Sequence, residues 1–168
     1  MAFALLIARL IVGLGIAAHG SQKLFGWFGG YGIKGTGGFM ESLGFKPGAT
    51  FALLAGFGEL LGGVLVTLGW LGGIGPALII LVMLVAILTV HVNNGFFTSN
   101  NGWEMPALYI AGALTFAFAG FGAYSLDMWT GGFPVLSQGP VILILIAGAI
   151  VLALLNLAVR KRPPERAG

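Results

Sequence analysis

The sequence contains no cysteine and few charged residues. Without thiols, disulfide bonds, thiolate metal sites, iron–sulfur clusters and haem attached through a CxxCH motif are excluded. Charged residues make up only 8% of the 168 positions, whereas they make up roughly a quarter of a typical soluble domain. Hydrophobic residues make up 58%, and the mean hydropathy is +1.01. This composition argues against a water-soluble domain and predicts a polytopic membrane protein.

Five apolar runs are separated by segments rich in glycine, proline, asparagine or charge. A transmembrane helix needs about 20 apolar residues, so the chain has room for four or five such helices in one bundle. Prolines stand near the start of three runs, where a missing backbone N–H costs nothing. The predicted fold is therefore an all-α, polytopic transmembrane helix bundle. The predicted spans are residues 3–19, 50–70, 74–92, 105–122 and 140–159.

Lysine and arginine are concentrated on one side of a five-span chain. The first loop and the C-terminal tail fall on that side and hold every basic residue except Arg9: Lys23, Lys34, Lys46, Arg160, Lys161, Arg162 and Arg166. Because basic loops stay in the cytoplasm, the first loop, residues 93–104 and the tail are predicted to be cytoplasmic. A four-span chain, with one weak run at the interface, would change this orientation. The basic residues are not interleaved with aromatic ones, so nucleic acid is not a predicted partner.

Arg9 and Glu59 each interrupt a predicted span. An unpaired charge in hydrocarbon costs a few kcal/mol or more. At about 1.5 Å of rise per residue, the two positions differ in depth by about 7 Å, which an arginine side chain can bridge to reach a carboxylate. We therefore predict a buried polar pair of Arg9 and Glu59. Such a pair either fixes the register of two helices or marks a site for a proton or a polar head group.

A second polar group is predicted where the spans reach the cytoplasmic face. It consists of His19, Lys23, His91 and Glu104, with aromatic residues nearby. Histidine paired with a carboxylate suits a quinone carbonyl or a proton relay, and two histidines at one depth can also ligate a haem or a metal. The same residue types are common wherever helices meet lipid headgroups. Among cofactors a quinone is favoured over haem, and no metal site is predicted.

Glycine accounts for 30 residues, and many of them lie within the spans. Small residues let helix backbones approach closely, so these glycines are predicted to pack helices within the bundle; the GxxxG spacing of Gly58 and Gly62 alternatively suggests a dimer face. Residues 26–48, rich in glycine and aromatic residues, are predicted to lie along the membrane surface. Asp127 follows the fourth span and is predicted to cap a helix start or a turn.

Four motifs occur in the order found in one family of bacterial membrane proteins. They are ARLIVGLGIAAHGSQKLFG, GFGELLGGVLVTLGW, MLVAILTVHVNNGFF with GWE, and AGFGAYSLD. Over about residues 5–128 the chain closely resembles the DoxX family. The resemblance implies a four-helix core in residues 1–128. This chain departs from the family pattern in residues 129–168, where its own sequence predicts a loop, an additional fifth transmembrane helix and a basic tail. It also implies a place in the bacterial inner (plasma) membrane and a relationship to subunits of thiosulfate:quinone oxidoreductase and to membrane partners of oxidative-stress proteins.

The recurring residues of that family match Gly20 and the polar positions already singled out above. They are Arg9, His19, Gly20, Lys23, Glu59, His91, Glu104 and Asp127. Three classes of function agree with the sequence. The first is a quinone- or redox-associated membrane subunit, and the second is a non-catalytic accessory subunit that contacts a larger complex through its glycine-rich faces and fifth helix. The third is a small transporter or proton path, although neither discontinuous helices nor inverted repeats are evident.

Overall fold

The computed structural model describes residues 2–161, so Arg162 and Arg166 of the basic tail lie outside the described residues. Within this range the chain is helical and contains no strand. The α-helices are α1 (Ala2–Phe25), α2 (Gly32–Ser42), α3 (Gly48–Leu68), α4 (Ile74–Ala86), α5 (Glu104–Ala119), α6 (Leu126–Thr130) and α7 (Gly139–Ala158). A π-helical turn (Ile87–His91) and a 3₁₀ turn (Val92–Asn94) continue α4. The predicted all-α bundle is confirmed.

The five long apolar helices coincide with the five predicted spans. Four helical segments are long and apolar enough to cross a membrane: Ala2–Phe25, Gly48–Leu68, Ile74–Asn94 and Gly139–Ala158. The exception is α5, which has 16 residues and is therefore about 24 Å long. Its two ends nevertheless lie at opposite ends of the bundle. Just before α5, the Trp103 N–H donates a hydrogen bond to the carbonyl of Gly95, in the loop that follows α4. Just after α5, Gly122 lies against Leu5 near the start of α1.

Backbone contacts define the two ends of the bundle. At the tail end, which comprises residues 26–47, 95–103 and 160–161, the Lys161 N–H donates to the carbonyl of Gly44. At the opposite N-terminal end, which includes residues 69–73 and 120–138, the Gly73 N–H donates to the carbonyl of Leu136. The first loop and the tail thus share one end, in agreement with the distribution of basic residues. The assignment of the tail end to the cytoplasm stays a prediction.

Glycines bring α1 and α3 into backbone contact. Gly13 lies against Gly63, and Gly20 lies against Gly56, so the two helices are antiparallel. A Cβ atom on Gly20 would lie only 2.4 Å from the backbone nitrogen of Leu60. In lipid there is no hydrophobic effect to hold helices together, so the van der Waals attraction of such close contact is what stabilises the pair. The glycines therefore pack helices inside the bundle, as predicted.

The GxxxG pair is also used inside the bundle. Gly58 lies against Val82 of α4, and Gly62 lies against Ile79 of the same helix. The pair therefore packs α3 on α4, and this chain's own helix covers the proposed dimer face. Ile79 is fully buried and belongs to the hydrophobic core, which α4 shares with α1, α3, α5 and α7.

Residues 26–48 contain a helix that the sequence pattern did not predict. This helix, α2, packs against the first turn of α3, where a Cβ atom on Gly48 would lie 2.0 Å from the carbonyl oxygen of Gly37. The Glu41 carboxylate accepts a hydrogen bond of 3.1 Å from the Gly48 N–H, a first-turn group that has no partner within its own helix. Trp27 and Tyr31 are exposed, which fits the predicted position along the membrane surface.

The fifth long helix, α7, packs on α4 and is attached at the tail end. The Arg160 Nε donates to the carbonyl of Leu43, and the guanidinium carbon lies 5.9 Å from the centre of the Phe45 ring. The outer face of α7 is apolar and exposed, as shown by Leu154 and Leu155. That face is suited to contact with lipid.

Candidate functional site

A cavity of about 440 Å³ lies at the tail end of the bundle. All six helices that reach this end contribute to its wall, and most of the wall is apolar. Because His19 and Met105 line the cavity and are also exposed, the cavity reaches the surface of the protein. Its polar wall includes five titratable side chains and an amide from α7: His19, Lys23, Glu59, His91, Tyr109 and Asn156.

Lys23 and Glu59 form an ion pair in the wall of this cavity. The Lys23 Nζ lies 2.6 Å from a carboxylate oxygen of Glu59. The Glu59 residue is 4% exposed, whereas the Lys23 side chain keeps 27% of its surface exposed. The pair therefore has one buried member and one that faces the cavity.

The predicted pair of Arg9 with Glu59 is not formed. Side chains on an α-helix lean toward its N-terminus, and α1 and α3 are antiparallel, so Lys23 and Glu59 lean toward each other. Arg9 has the same lean as Lys23, but it lies on the N-terminal side of Glu59, so its side chain leans away from Glu59. In addition, Ala17 lies against Gly63 and Gly20 lies against Gly56, so Glu59 is level with α1 between Ala17 and Gly20. Arg9 lies at least eight residues before that level, which is about 12 Å or more along the axis.

Arg9 is nevertheless buried, at 2% exposure, as its cost in the membrane predicted. One guanidinium nitrogen donates to the carbonyl of Tyr124, and the group also lies against Gly69. Among the described residues, its Nε and Nη1 atoms have no hydrogen-bond partner. Arg9 therefore connects α1 to the segment after α5, at the end of the bundle away from the cavity.

The hydrogen bonds of the two histidines determine which ring nitrogen carries a proton. The Nδ1 of His91 lies 2.7 Å from the carbonyl oxygen of Asn101, which can only accept. The Nδ1 of His19 lies 3.1 Å from Oε1 of Gln22, whose amide nitrogen donates to the carbonyl of Phe28. Both Nδ1 atoms are thus donors. In the neutral form of each ring, the Nε2 lone pair is the available acceptor.

The π-helical turn at the end of α4 contributes to the placement of His91. Such turns add a residue to a helical turn and are frequent at functional sites. The turn covers Ile87–His91, so His91 is its last residue. His91 lines the cavity from this turn, between the end of α4 and the 3₁₀ turn Val92–Asn94.

Tyr109 is a site residue that sequence reasoning missed. Its ring meets that of His19 edge to face, with centroids 6.0 Å apart and an interplanar angle of 89°. The phenol lies close to α1, because a Cβ atom on Gly15 would be 2.8 Å from its oxygen. The usable signal was a single phenol among the otherwise apolar residues 105–114 of α5, where a buried hydroxyl needs a partner.

Glu104 does not join the other predicted site residues. Its carboxylate accepts a hydrogen bond of 2.8 Å from the backbone N–H of Thr98, and Glu104 is absent from the cavity wall. As an acidic residue in the first turn of α5, it also has a favourable interaction with the helix dipole. The prediction that Glu104 lies at one site with His19, Lys23 and His91 was wrong, because the carboxylate is used within its own loop.

Asp127 holds the turn between α3 and α4. Its two carboxylate oxygens accept hydrogen bonds from the N–H groups of Leu71 (3.0 Å) and Gly72 (2.8 Å). Leu71 has a φ of 62°, a left-handed conformation that a leucine rarely adopts. The carboxylate thus stabilises a strained turn through backbone amides, a contact of the kind predicted for this residue.

We expect Asp127→Ala to lower the free energy of unfolding by about 2 kcal/mol, because hydrogen bonds to a charged group contribute about 1.5–3 kcal/mol each and water can replace part of that. Thermal unfolding in mild detergent, followed by tryptophan fluorescence, measures this loss. Asp127→Asn keeps one acceptor oxygen and should lose about half as much. Equal stability of Asp127→Ala and the unmodified protein would contradict the assigned role.

Among the residues that the structure describes, no group of three or more His, Cys, Asp or Glu side chains could hold a metal ion.

Comparison with known proteins identifies the family. The family model DoxX matches residues 4–92, just over half of the chain. The chain belongs to the DoxX family. The DoxX match covers α1 to α4, and therefore Tyr109 and Asn156 of the cavity wall lie outside it. No curated protein and no solved structure matches the chain.

Proposed function

We propose that this DoxX protein is a quinone-binding, redox-associated membrane subunit whose ligand occupies the cavity at the tail end. The observation that carries the proposal is the combination of a largely apolar cavity with titratable groups from four helices, α1, α3, α5 and the π-helical continuation of α4. Small-molecule sites typically measure about 300–1,000 Å³ and combine apolar walls with a few convergent polar groups. The cavity, at about 440 Å³, falls within that range.

The charges in the cavity wall favour a neutral head group. Lys23 and Glu59 neutralise each other in the ion pair, so the wall offers hydrogen bonds without a strong net charge. A quinone is neutral in its oxidised and its reduced form. An anionic phospholipid head group would gain little net attraction from this pair, because the Glu59 carboxylate offsets the charge of the Lys23 ammonium.

The hydrogen-bond donors and acceptors in the wall suit both redox forms of a quinone. The ammonium of Lys23 and the hydroxyl of Tyr109 can donate to a quinone carbonyl. The Nε2 of His91 can accept from the hydroxyl of a quinol and can take up its proton. The site thus contains groups that can exchange a proton with the ligand, and the electron donor and acceptor are other proteins.

We expect the purified protein to carry quinone, and His91→Ala to weaken binding of a short-chain quinol such as decylubiquinol by about tenfold, which is the effect of one strong hydrogen bond. Extraction of the gently solubilised protein with organic solvent, and titration followed by tryptophan fluorescence, measure the two quantities. Binding of the oxidised form should fall less, because the Nε2 of the neutral imidazole can accept a hydrogen bond from the ligand but cannot donate one.

Asn94→Ala provides the matched control. Asn94 also bonds to the Asn101 carbonyl, but its side chain is not in the cavity wall, so this variant should bind quinol normally. Extracts without quinone, together with a titration that does not saturate, would refute the proposal. A stable partner complex purified from such a quinone-free protein would instead favour the accessory role.

A further inference from the structure

Asn156 is the only polar side chain in α7 between residues 141 and 159. An amide in the hydrocarbon region is costly unless it forms hydrogen bonds, so a single asparagine in an apolar span marks a position with a specific role. The α7 helix lies outside the range matched by the family model. The role of Asn156 must therefore be argued from the geometry of this chain.

The side chain of Asn156 faces the bundle. The buried residues of α7 are Ile142, Ala149 and Ala153, and their spacing of seven and four residues continues to Asn156 three residues later, which is the repeat of one helix face. Leu154 and Leu155, the two residues before Asn156, are more than half exposed. Asn156 itself is half-buried and lines the cavity.

The amide of Asn156 is available to a ligand. Within residues 2–161, no hydrogen bond joins it to another side chain or to the backbone, in contrast to Asn94 and Gln22. The unpartnered oxygen and nitrogen of this amide are not fully buried. Because Asn156 lines the cavity, a ligand there can reach them. A primary amide supplies two donors and one acceptor group.

The tail-end contacts of α7 hold Asn156 in place. One helical turn after Asn156, Arg160 donates to the carbonyl of Leu43 and lies over the Phe45 ring. Leu43 and Phe45 themselves line the cavity. The helix that carries the amide is thus attached to the opposite part of the same wall, which preorganises the site.

We infer that Asn156 determines the specificity of the cavity, where its amide hydrogen-bonds the oxygen-bearing head group of a neutral amphiphile. This inference rests on the proposed function and extends it to a helix beyond the family core. Because the amide both donates and accepts, it serves the carbonyl of a quinone and the hydroxyl of a quinol. The Nε2 of neutral His91 can only accept, and therefore binds mainly the quinol hydroxyl. Asn156 thus recognises both redox forms, whereas His91 recognises mainly the reduced form.

The test is titration of the full-length protein in mild detergent with decylubiquinone and, separately, with decylubiquinol. We expect Asn156→Leu to raise the Kd for both forms by a similar factor of roughly three to ten, the effect of one neutral hydrogen bond. Leucine is close in size and favours a helix in lipid, so the bundle should fold. Asn156→Gln keeps the amide and should recover most of the affinity.

Leu155→Ala, on the exposed face of the same helix, is the matched control and should leave both Kd values unchanged. If the unmodified protein binds the quinone and Asn156→Leu binds it equally well, the inference about Asn156 is wrong and the proposed function stands. An effect on the quinol alone would also overturn it. If the unmodified protein binds neither form, the proposed function fails and the inference fails with it.

Discussion

Lys23→Met is expected to lower the free energy of unfolding by about 3 kcal/mol, because it leaves the Glu59 carboxylate alone in a low-dielectric interior. Removal of one member of a buried ion pair costs about 3–5 kcal/mol. The lower end applies here, since the Lys23 side chain keeps 27% of its surface exposed. Reversible unfolding in mixed detergent micelles, followed by tryptophan fluorescence, measures the difference.

The double variant Lys23→Met/Glu59→Leu separates the cost of a lone charge from a general loss of packing. With both charges removed, stability should return to within about 1 kcal/mol of the unmodified protein, because an apolar pair replaces a buried ion pair at little cost. Lys34→Met makes the same chemical change at an exposed position of α2 and should have almost no effect. If Lys23→Met and Lys34→Met are equally stable, the ion pair does not stabilise the bundle.

Gly20→Ala is expected to destabilise the protein by about 3 kcal/mol and to reduce the yield of monodisperse protein. The added Cβ atom would lie 2.4 Å from the nitrogen of Leu60 and 2.6 Å from the carbonyl oxygen of Gly56. Overpacking typically costs about 1–3 kcal/mol, and the upper end applies because both neighbours are backbone atoms that cannot move aside. The helices α1 and α3 would have to separate along their whole contact.

Gly148→Ala is the matched control for this substitution. Gly148 also lies within a membrane-spanning helix, but a Cβ atom there would meet nothing within 4 Å. Alanine favours a helix over glycine by about 1 kcal/mol, so this variant should be as stable as the unmodified protein or more so. Size-exclusion chromatography and thermal unfolding compare the two variants. Equal behaviour of Gly20→Ala and Gly148→Ala would contradict the close α1–α3 contact.

Hydropathy predicted the long helices well because the bilayer requires every backbone polar group to bond within its own segment. The same rule does not apply to residues 26–48, where α2 was missed. Glycine has a poor helix propensity, and the segment Gly32–Ser42 contains four glycines. That helix forms because it packs on α3 through Gly37 and Gly48, which is a tertiary contact that a local pattern does not contain.

The candidate site was predicted in part. His19, Lys23 and His91 were placed together from their depth, since each ends a span on the same side. The partner of Glu59 was wrong because depth alone omits the lean of side chains toward the N-terminus of their helix, which joins Glu59 to Lys23. Tyr109 and Asn156 were missed because each is one polar residue in an apolar run, and only the packing decides whether it faces lipid or a cavity.

The short length of α5 affects the thickness of the lipid bilayer around the protein. A helix of about 24 Å is some 6 Å shorter than the usual hydrocarbon layer of about 30 Å, and its outward residues Leu108 and Phe118 are exposed on the surface of the bundle. A bilayer adapts to a short apolar surface by thinning locally, at a cost of a fraction of a kcal/mol per Å. The annulus around this bundle is therefore uneven, with the thinnest membrane, and the best match for short-chain lipids, along α5.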